Sequence, residues 1–274
     1  MTDGGPGPDA FRKADAGAPA GFFAREAAGL DWLRVPGGPR IVGVRDVGPG
    51  HLDLDFLSSG APRPEDGRAF GRALATMHDA GAAAFGAGPP AGRGWSGDPA
   101  GWFGPLRDPL PMAGGAWSSW PEFYADARLR PLLDQGRARG VLGRDDAALV
   151  EAVCARLPRL AGASADDGPA RLHGDLWSGN VLWAADGTAG ATEAVLIDPA
   201  AHGGHRETDL AMLAFFGAPH LAEILAGYQE THPLTAGWRD RVRLHQLYPL
   251  AVHGVLFGGS YVPETRALLT ELAA

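Results

Sequence analysis

Residues 171–183, RLHGDLWSGNVLW, constrain the fold of this chain more than any other stretch. A polar, glycine-containing loop with one acid and one amide lies between two apolar flanks, which reads as strand, loop, strand. Ten residues further on, EAVLIDPA reads as another short strand, ending in an acid. These segments predict an irregular hairpin over 171–199, set in a half that is otherwise helical by pattern.

Asp175 and Asn180 alone would be explained by turn chemistry, since both residue types favour turns and tolerate left-handed backbone. Asp198, eighteen residues after Asn180, adds a third oxygen donor that can converge on the other two. Phosphoryl transfer needs such a set: a carboxylate to orient and deprotonate a hydroxyl, and an amide plus a carboxylate to hold Mg²⁺ on nucleotide phosphates. Asp175 is the candidate base, and Asn180 and Asp198 are the candidate metal ligands.

Upstream, Phe11–Lys13 reads as the end of a strand. It is followed by an amphipathic helix, AGFFAREAAGLDWL, with Phe22, Ala27, Leu30 and Leu33 on one face. PRIVGVRDVG and HLDLDFL read as strands that complete a small mixed unit over 1–60, with a hinge near 55–64. From Pro64 the pattern turns helical, with Phe70, Leu74 and Met77 at helical spacing and Gly81 as a stop. Residues 86–120, rich in Gly, Pro and Trp, have no period and read as an ordered excursion packed by its tryptophans. Helices are predicted at 121–139 and 145–161, and again from Thr208 onward with breaks at HPLTAG and at Phe257-Gly258-Gly259. The expected class is α+β, two-lobed, with residues 65–274 as a helical lobe that carries the hairpin.

Composition excludes several functions. A formal charge of −8 argues against nucleic-acid binding and suits cationic small substrates. The one cysteine, Cys154, falls in a helical pattern as a core residue; it leaves no disulfide framework or thiolate metal site and fits a reducing compartment. No run approaches the length of a membrane span, and MTDGGPGPDAFRK lacks the apolar core of a signal peptide, so a cytoplasmic protein with no membrane partner is expected. The basic residues are otherwise all Arg, and Lys13 is the sole lysine, which invites a functional reading. It is followed by Ala14, so it belongs to no Walker A motif.

HGDLWSGNVLW resembles the catalytic loop of the fructosamine kinases, or ketosamine 3-kinases, relatives of the aminoglycoside phosphotransferases within the protein-kinase-like fold. LIDPAAHGGHRETDLAML, WPEFYADARLRPLL, FGPLRDPLP and HQLYPLAVHGVLFGGSYV carry the likeness over most of residues 11–262. The resemblance implies a two-lobed kinase-like fold, ATP and Mg²⁺ as cofactors, and phosphorylation of the 3-hydroxyl of fructosamines or ribulosamines. The substrates would be small ketosamines or glycated proteins, and the outcome deglycation. It further implies that Lys13 grips the nucleotide phosphates and that Glu26 pairs with it. By the same likeness Asp55, Phe56 and Leu57 form the adenine-side hinge, and His173 and Asp209 brace the loop. Trp177 is either a platform for the sugar or a packing residue.

Family members usually carry two strands and a phosphate-covering loop before the lysine strand. Here twelve residues precede Lys13, and TDGGPGPDAF reads only as a turn into that strand. The expected small lobe is therefore truncated: either the true start lies upstream of Met1, or the protein is a natural truncation with weakened or lost ATP binding. Two other readings stay open: a kinase of aminoglycoside or choline type, and a nucleotide-deficient kinase-like binding protein. Arg206 and Glu207 read as a local ion pair. The array His202, His205, Glu207 and Asp209 is disfavoured as a zinc site, because two glycines separate its histidines. Oligomeric state is not legible.

Overall fold

The computed structural model describes residues 9–185 and 192–274. Of the turn read over TDGGPGPDAF, residues 2–8 lie outside the described residues, as do residues 186–191. Strand β1 (Ala10–Ala14) pairs antiparallel with β4 (His51–Asp55), which pairs antiparallel with β3 (Val44–Gly48). Lys13 sits inside β1, opposite Leu52, rather than at the strand's end. Helix α1 (Phe22–Leu33) packs on this sheet through Phe23, Ala27, Leu30 and Leu33. Phe23 takes the core position expected of Phe22, because it is Phe23 that stands four residues before Ala27 on the buried side.

The run 39–48 is not one strand. It breaks at Val42-Gly43, where a Cβ on Gly43 would come 2.0 Å from the Asp55 carboxylate. Its first piece, β2 (Arg40–Ile41), leaves the small sheet and pairs parallel with β9 (Thr192–Leu196), which pairs antiparallel with β8 (Val181–Ala185). The small sheet is thus stitched to the hairpin below it. The strand read over EAVLIDPA ends at Leu196, two residues short of Asp198.

Helix α2 (Pro64–Asp79) starts on Pro64, whose missing N–H costs nothing there, and stops before Gly81 at φ 67°. It crosses α7 (Leu221–Thr231) closely. A Cβ on Gly71 would stand 2.0 Å from the Ile224 carbonyl, and one on Gly227 would stand 2.0 Å from the Arg68 carbonyl. The excursion contains a hairpin, β5 (Gly101–Phe103) with β6 (Leu110–Met112), which the absence of a period concealed. One continuous helical segment follows: α3 (Trp120–Tyr124), a π-helical turn (Ala125–Leu129) and α4 (Arg130–Ala138). Then come α5 (Arg144–Ala161), β7 (Ala170–Leu172) and β10 (His202–Gly204), with β7 pairing β10 rather than β8. The chain closes with α6 (Arg206–Phe216), α8 (Trp238–Phe257) and α9 (Tyr261–Ala273).

Two apolar clusters hold these elements. One joins α1, the small sheet, α2, α7 and the hairpin strands, and includes Leu176. The other joins the excursion and the helices around Trp120, Leu157 and Leu247, and includes Ala200 and the buried Cys154. The loop at 173–180 and the turn at 198–201 therefore lie where the clusters meet. Among the described residues no helix is long and apolar enough to cross a membrane.

Candidate active site

Six residues singled out from the sequence, Lys13, Glu26, Asp175, Trp177, Asn180 and Asp198, line one cavity of about 330 Å³. Lys13 Nζ donates to both Glu26 oxygens at 2.8 and 2.9 Å and lies 3.1 Å from Asp198 Oδ1. Burial disfavours the Lys13 charge, but the two carboxylates outweigh it and hold its pKa above the ordinary value.

Asn180 directs its amide nitrogen at Asp175, 2.8 Å from the backbone carbonyl and 3.1 Å from Oδ2, and reaches the Asp198 carbonyl at 3.5 Å. The Asp175 carboxyl is pushed up to about 7, first by burial and then by the negative charge of Asp198, with Asn180 and Lys13 working the other way. Asp198 has φ 54°, a left-handed backbone that a non-glycine residue seldom adopts, placed where the strand has ended and the chain turns. His173 secures that turn. Its Nε2 donates to the Ile197 carbonyl at 2.8 Å, and its Nδ1 accepts the Asp175 N–H at 3.3 Å. A carbonyl can only accept and an amide N–H only donate, so the two partners fix one neutral tautomer.

Asp209 supports the loop from beneath, accepting the backbone N–H groups of His173 at 2.8 Å and Gly174 at 3.0 Å. Burial would raise its pKa, but His78 and those amides hold the carboxyl below the usual range. Behind it runs a buried chain that the sequence did not disclose. Arg206 donates to the Tyr228 hydroxyl at 3.0 Å, Tyr228 meets His78 Nδ1 at 2.8 Å, and His78 Nε2 meets Asp209 at 3.2 Å. These partners lie on α2, α6 and α7, far apart in sequence; the one local hint was a histidine beside Met77 on the apolar side of α2.

The glycines of the loop have mechanical reasons. A Cβ on Gly174 (φ 83°) would meet the Ala200 carbonyl at 2.2 Å, and one on Gly179 would meet the Trp177 ring at 2.2 Å. The second leaves the indole lying across the loop with 40% of its surface exposed.

Asp55, Phe56 and Leu57 do not line this cavity. The Asp55 carboxylate accepts from Arg45 at 2.7 Å, the Phe56 N–H donates to the Asp9 carbonyl at 2.9 Å, and Leu57 packs on the apolar cluster. The expected local pair of Arg206 and Glu207 is corrected: Arg206 pairs with Asp79 at 2.9 Å, and Glu207 with Arg241 at 2.9 Å. Successive helical residues point to different faces, so neighbours in sequence found separate partners. The donors of the histidine array are likewise committed. His202 bonds the Ala200 carbonyl, His205 accepts the Glu207 N–H and bonds Ser164, and the Arg241 guanidinium would repel a cation at Glu207.

With this geometry in hand, known proteins can be set beside the chain. The fructosamine kinase family model matches residues 6–274. A Synechocystis protein named as a probable ketoamine kinase is 33% identical over 256 residues, 91% of this chain and 78% of that protein. One from Lactiplantibacillus plantarum is 32% identical over 258 residues, 91% and 81% respectively. A solved Thermobifida fusca structure named for fructosamine-3-kinase superposes with a TM-score of 0.79 at 46% identity, over 95% of this chain and 85% of that one. The gentamicin complex of APH(2")-IIa gives a TM-score of 0.59 at 10% identity and shares the fold alone.

Proposed function

The chain belongs to the fructosamine kinase family, and from that membership we propose that it phosphorylates the 3-hydroxyl of ketosamines at the expense of ATP. The observation that carries the chemical assignment is Asp175, a carboxyl at about 7 in a cavity with Lys13, Asn180 and Asp198. A base poised near neutral pH can accept the hydroxyl proton as the oxygen attacks phosphorus, a contribution of roughly 10²–10⁴-fold. Lys13, held by Glu26, presents a fixed positive charge to the nucleotide phosphates. Asp55, Phe56 and Leu57, outside the cavity itself, are the proposed adenine edge, where the exposed Phe56 ring could meet the base, and Trp177 would offer its exposed face to the sugar.

The amide nitrogen of Asn180 is spent on Asp175, which leaves its oxygen, with the Asp198 carboxylate, as a hard-oxygen pair that fits Mg²⁺. Mg²⁺ there would supply charge neutralisation on the phosphates. His173 and Asp209 hold the loop so that Asp175 keeps its orientation.

Phosphate at C3 is a better leaving group than hydroxide. Enolisation of the neighbouring ketone then expels it, and hydrolysis returns the amine, which makes the reading a deglycation activity. Acceptors are free ketosamines or ketosamines carried on proteins, and the buried Cys154 thiol suits a reducing cytoplasm. Incubation with Mg·ATP and a ribulosyl-lysine peptide, followed by mass spectrometry, is expected to show phosphoryl transfer to the sugar; no transfer to any ketosamine would overturn the reading.

A further inference from the structure

Beside its charged and polar groups, Lys13, Glu26, Asp175, Asn180 and Asp198, the cavity carries an apolar lining of Trp102, Phe103, Leu106, His253, Leu256 and Phe257, with Trp102 also flanking Glu26. Two runs of rings form that wall. From the catalytic loop, Trp177 meets Phe216 with centroids 5.8 Å apart, Phe216 meets His253 at 5.0 Å, and His253 meets Phe257 at 5.5 Å. Across the opening, Phe22 meets Trp102 at 5.6 Å, and Trp102 meets Trp95 at 6.3 Å.

His253 belongs to the apolar wall rather than to the charged set. Its Nδ1 donates to the Pro249 carbonyl at 2.7 Å, and burial holds its pKa below the ordinary imidazole value, so the ring is neutral at pH 7. Phe257 stands at the end of α8, where Gly258 and Gly259 take φ of 66° and 61° and turn the chain away from it. It is 57% exposed and Trp177 is 40% exposed, and both open on this cavity. Large rings left wet on two sides of a catalytic cleft gain by covering each other's gap with a flat apolar group.

The same wall disfavours a polycation. Among the described residues the carboxylates lining the cavity are Glu26, Asp175 and Asp198, of which Glu26 and Asp198 already face Lys13. An acceptor carrying several ammonium groups would meet rings and aliphatic carbons there, with no fixed counter-charge.

We propose that Trp102, His253, Leu256 and Phe257 form the subsite for the substituent on the ketosamine nitrogen, and that this subsite selects flat apolar substituents over small, acidic or polycationic ones. The inference rests on the ketosamine reading above. It assigns the amine side of the substrate to the end of α8 and the β5–β6 hairpin, and the sugar to the catalytic loop.

A series of 1-amino-1-deoxyketoses bearing N-methyl, N-butyl, N-benzyl and N-aminopropyl groups tests it, with Kd by calorimetry and kcat/KM by ADP release. N-benzyl is expected to bind about tenfold more tightly than N-methyl, the worth of one aromatic contact, with N-butyl between them and N-aminopropyl weakest. Phe257→Ala should shrink the benzyl-to-methyl ratio to about twofold, and Phe257→Tyr should restore it. Equal Kd and kcat/KM across the series, or a ratio unmoved by Phe257→Ala, overturns the subsite while leaving the kinase reading intact. Graded binding without phosphoryl transfer keeps the subsite and overturns the kinase reading, and absence of both binding and transfer overturns the two together.

Discussion

Asn180 donates its side-chain N–H to both the carbonyl and the carboxylate of Asp175, at 2.8 and 3.1 Å. The bond to the carboxylate favours its charged form and opposes the upward push of burial and Asp198. Asn180→Ala should therefore move the acid limb of the kcat/KM profile to higher pH, besides lowering kcat. With Asp175 as the proposed base the active form would be the deprotonated one, so kcat/KM should rise about tenfold per pH unit below about 7 and level off above it. A flat profile from pH 5 to 8 would exclude Asp175 as the titrating base.

Asp175→Asn should abolish turnover and raise stability. The unfolded carboxyl loses its proton near 3.8, whereas the folded one holds it to about 7. Stability is therefore lost as pH rises between those values, and stays lost above them. An amide removes that cost, so the variant's Tm should exceed the parent's at pH 8, by about 2–4 °C for each kcal/mol relieved, with the two curves converging near pH 4. Thermal melts at both pH values check this; an equal or lower Tm at pH 8 would refute it.

Lys13→Met leaves Glu26 buried without its partner and should cost about 3 kcal/mol, the usual penalty for breaking a buried pair from one side. Lys13→Met with Glu26→Gln should recover most of that stability and none of the activity. Urea unfolding of the three proteins separates the structural contribution of the pair from its part in nucleotide binding.

Gly71→Ala should unfold the α2–α7 crossing, since the new Cβ would stand 2.0 Å from a backbone carbonyl that cannot step aside. A loss of more than about 2 kcal/mol is expected. Ala69→Gly on the exposed face of the same helix should lose only about 1 kcal/mol through helix propensity. Equal losses in the two variants would show that the crossing tolerates separation.

The contrast between loop and hinge shows what a sequence can disclose. Asp175, Asn180 and Asp198 were legible because their types and spacing suit one chemistry, and the lone Lys13 stood out against a background of arginines. Helices with an uninterrupted apolar period were legible for the same local reason; α5, expected over 145–161, runs from Arg144 to Ala161. The split of 39–48 into two strands, the pairing of β7 with β10, and the Arg206–Tyr228–His78–Asp209 chain depend on partners outside any local period, which in that chain stand from 22 residues apart for Arg206 and Tyr228 to 150 for His78 and Tyr228. No local period carries that information. The aromatic wall escaped notice for a related reason: Trp102 sits in the excursion without a period and His253 and Phe257 near the end of α8, and only folding brings their rings to one cavity.

Lys13 bears on how such an enzyme survives among its own substrates' precursors. Unprotonated, accessible ε-amines attack the aldehydes of reducing sugars, and this chain has one ε-amine. The Lys13 side chain is 16% exposed, and its amine is clamped by two carboxylates that favour the ammonium form. On the deglycation activity proposed above, residues 9–185 and 192–274 thus offer a sugar aldehyde no open lysine to condense with, which would keep them free of the lysine adducts that activity removes.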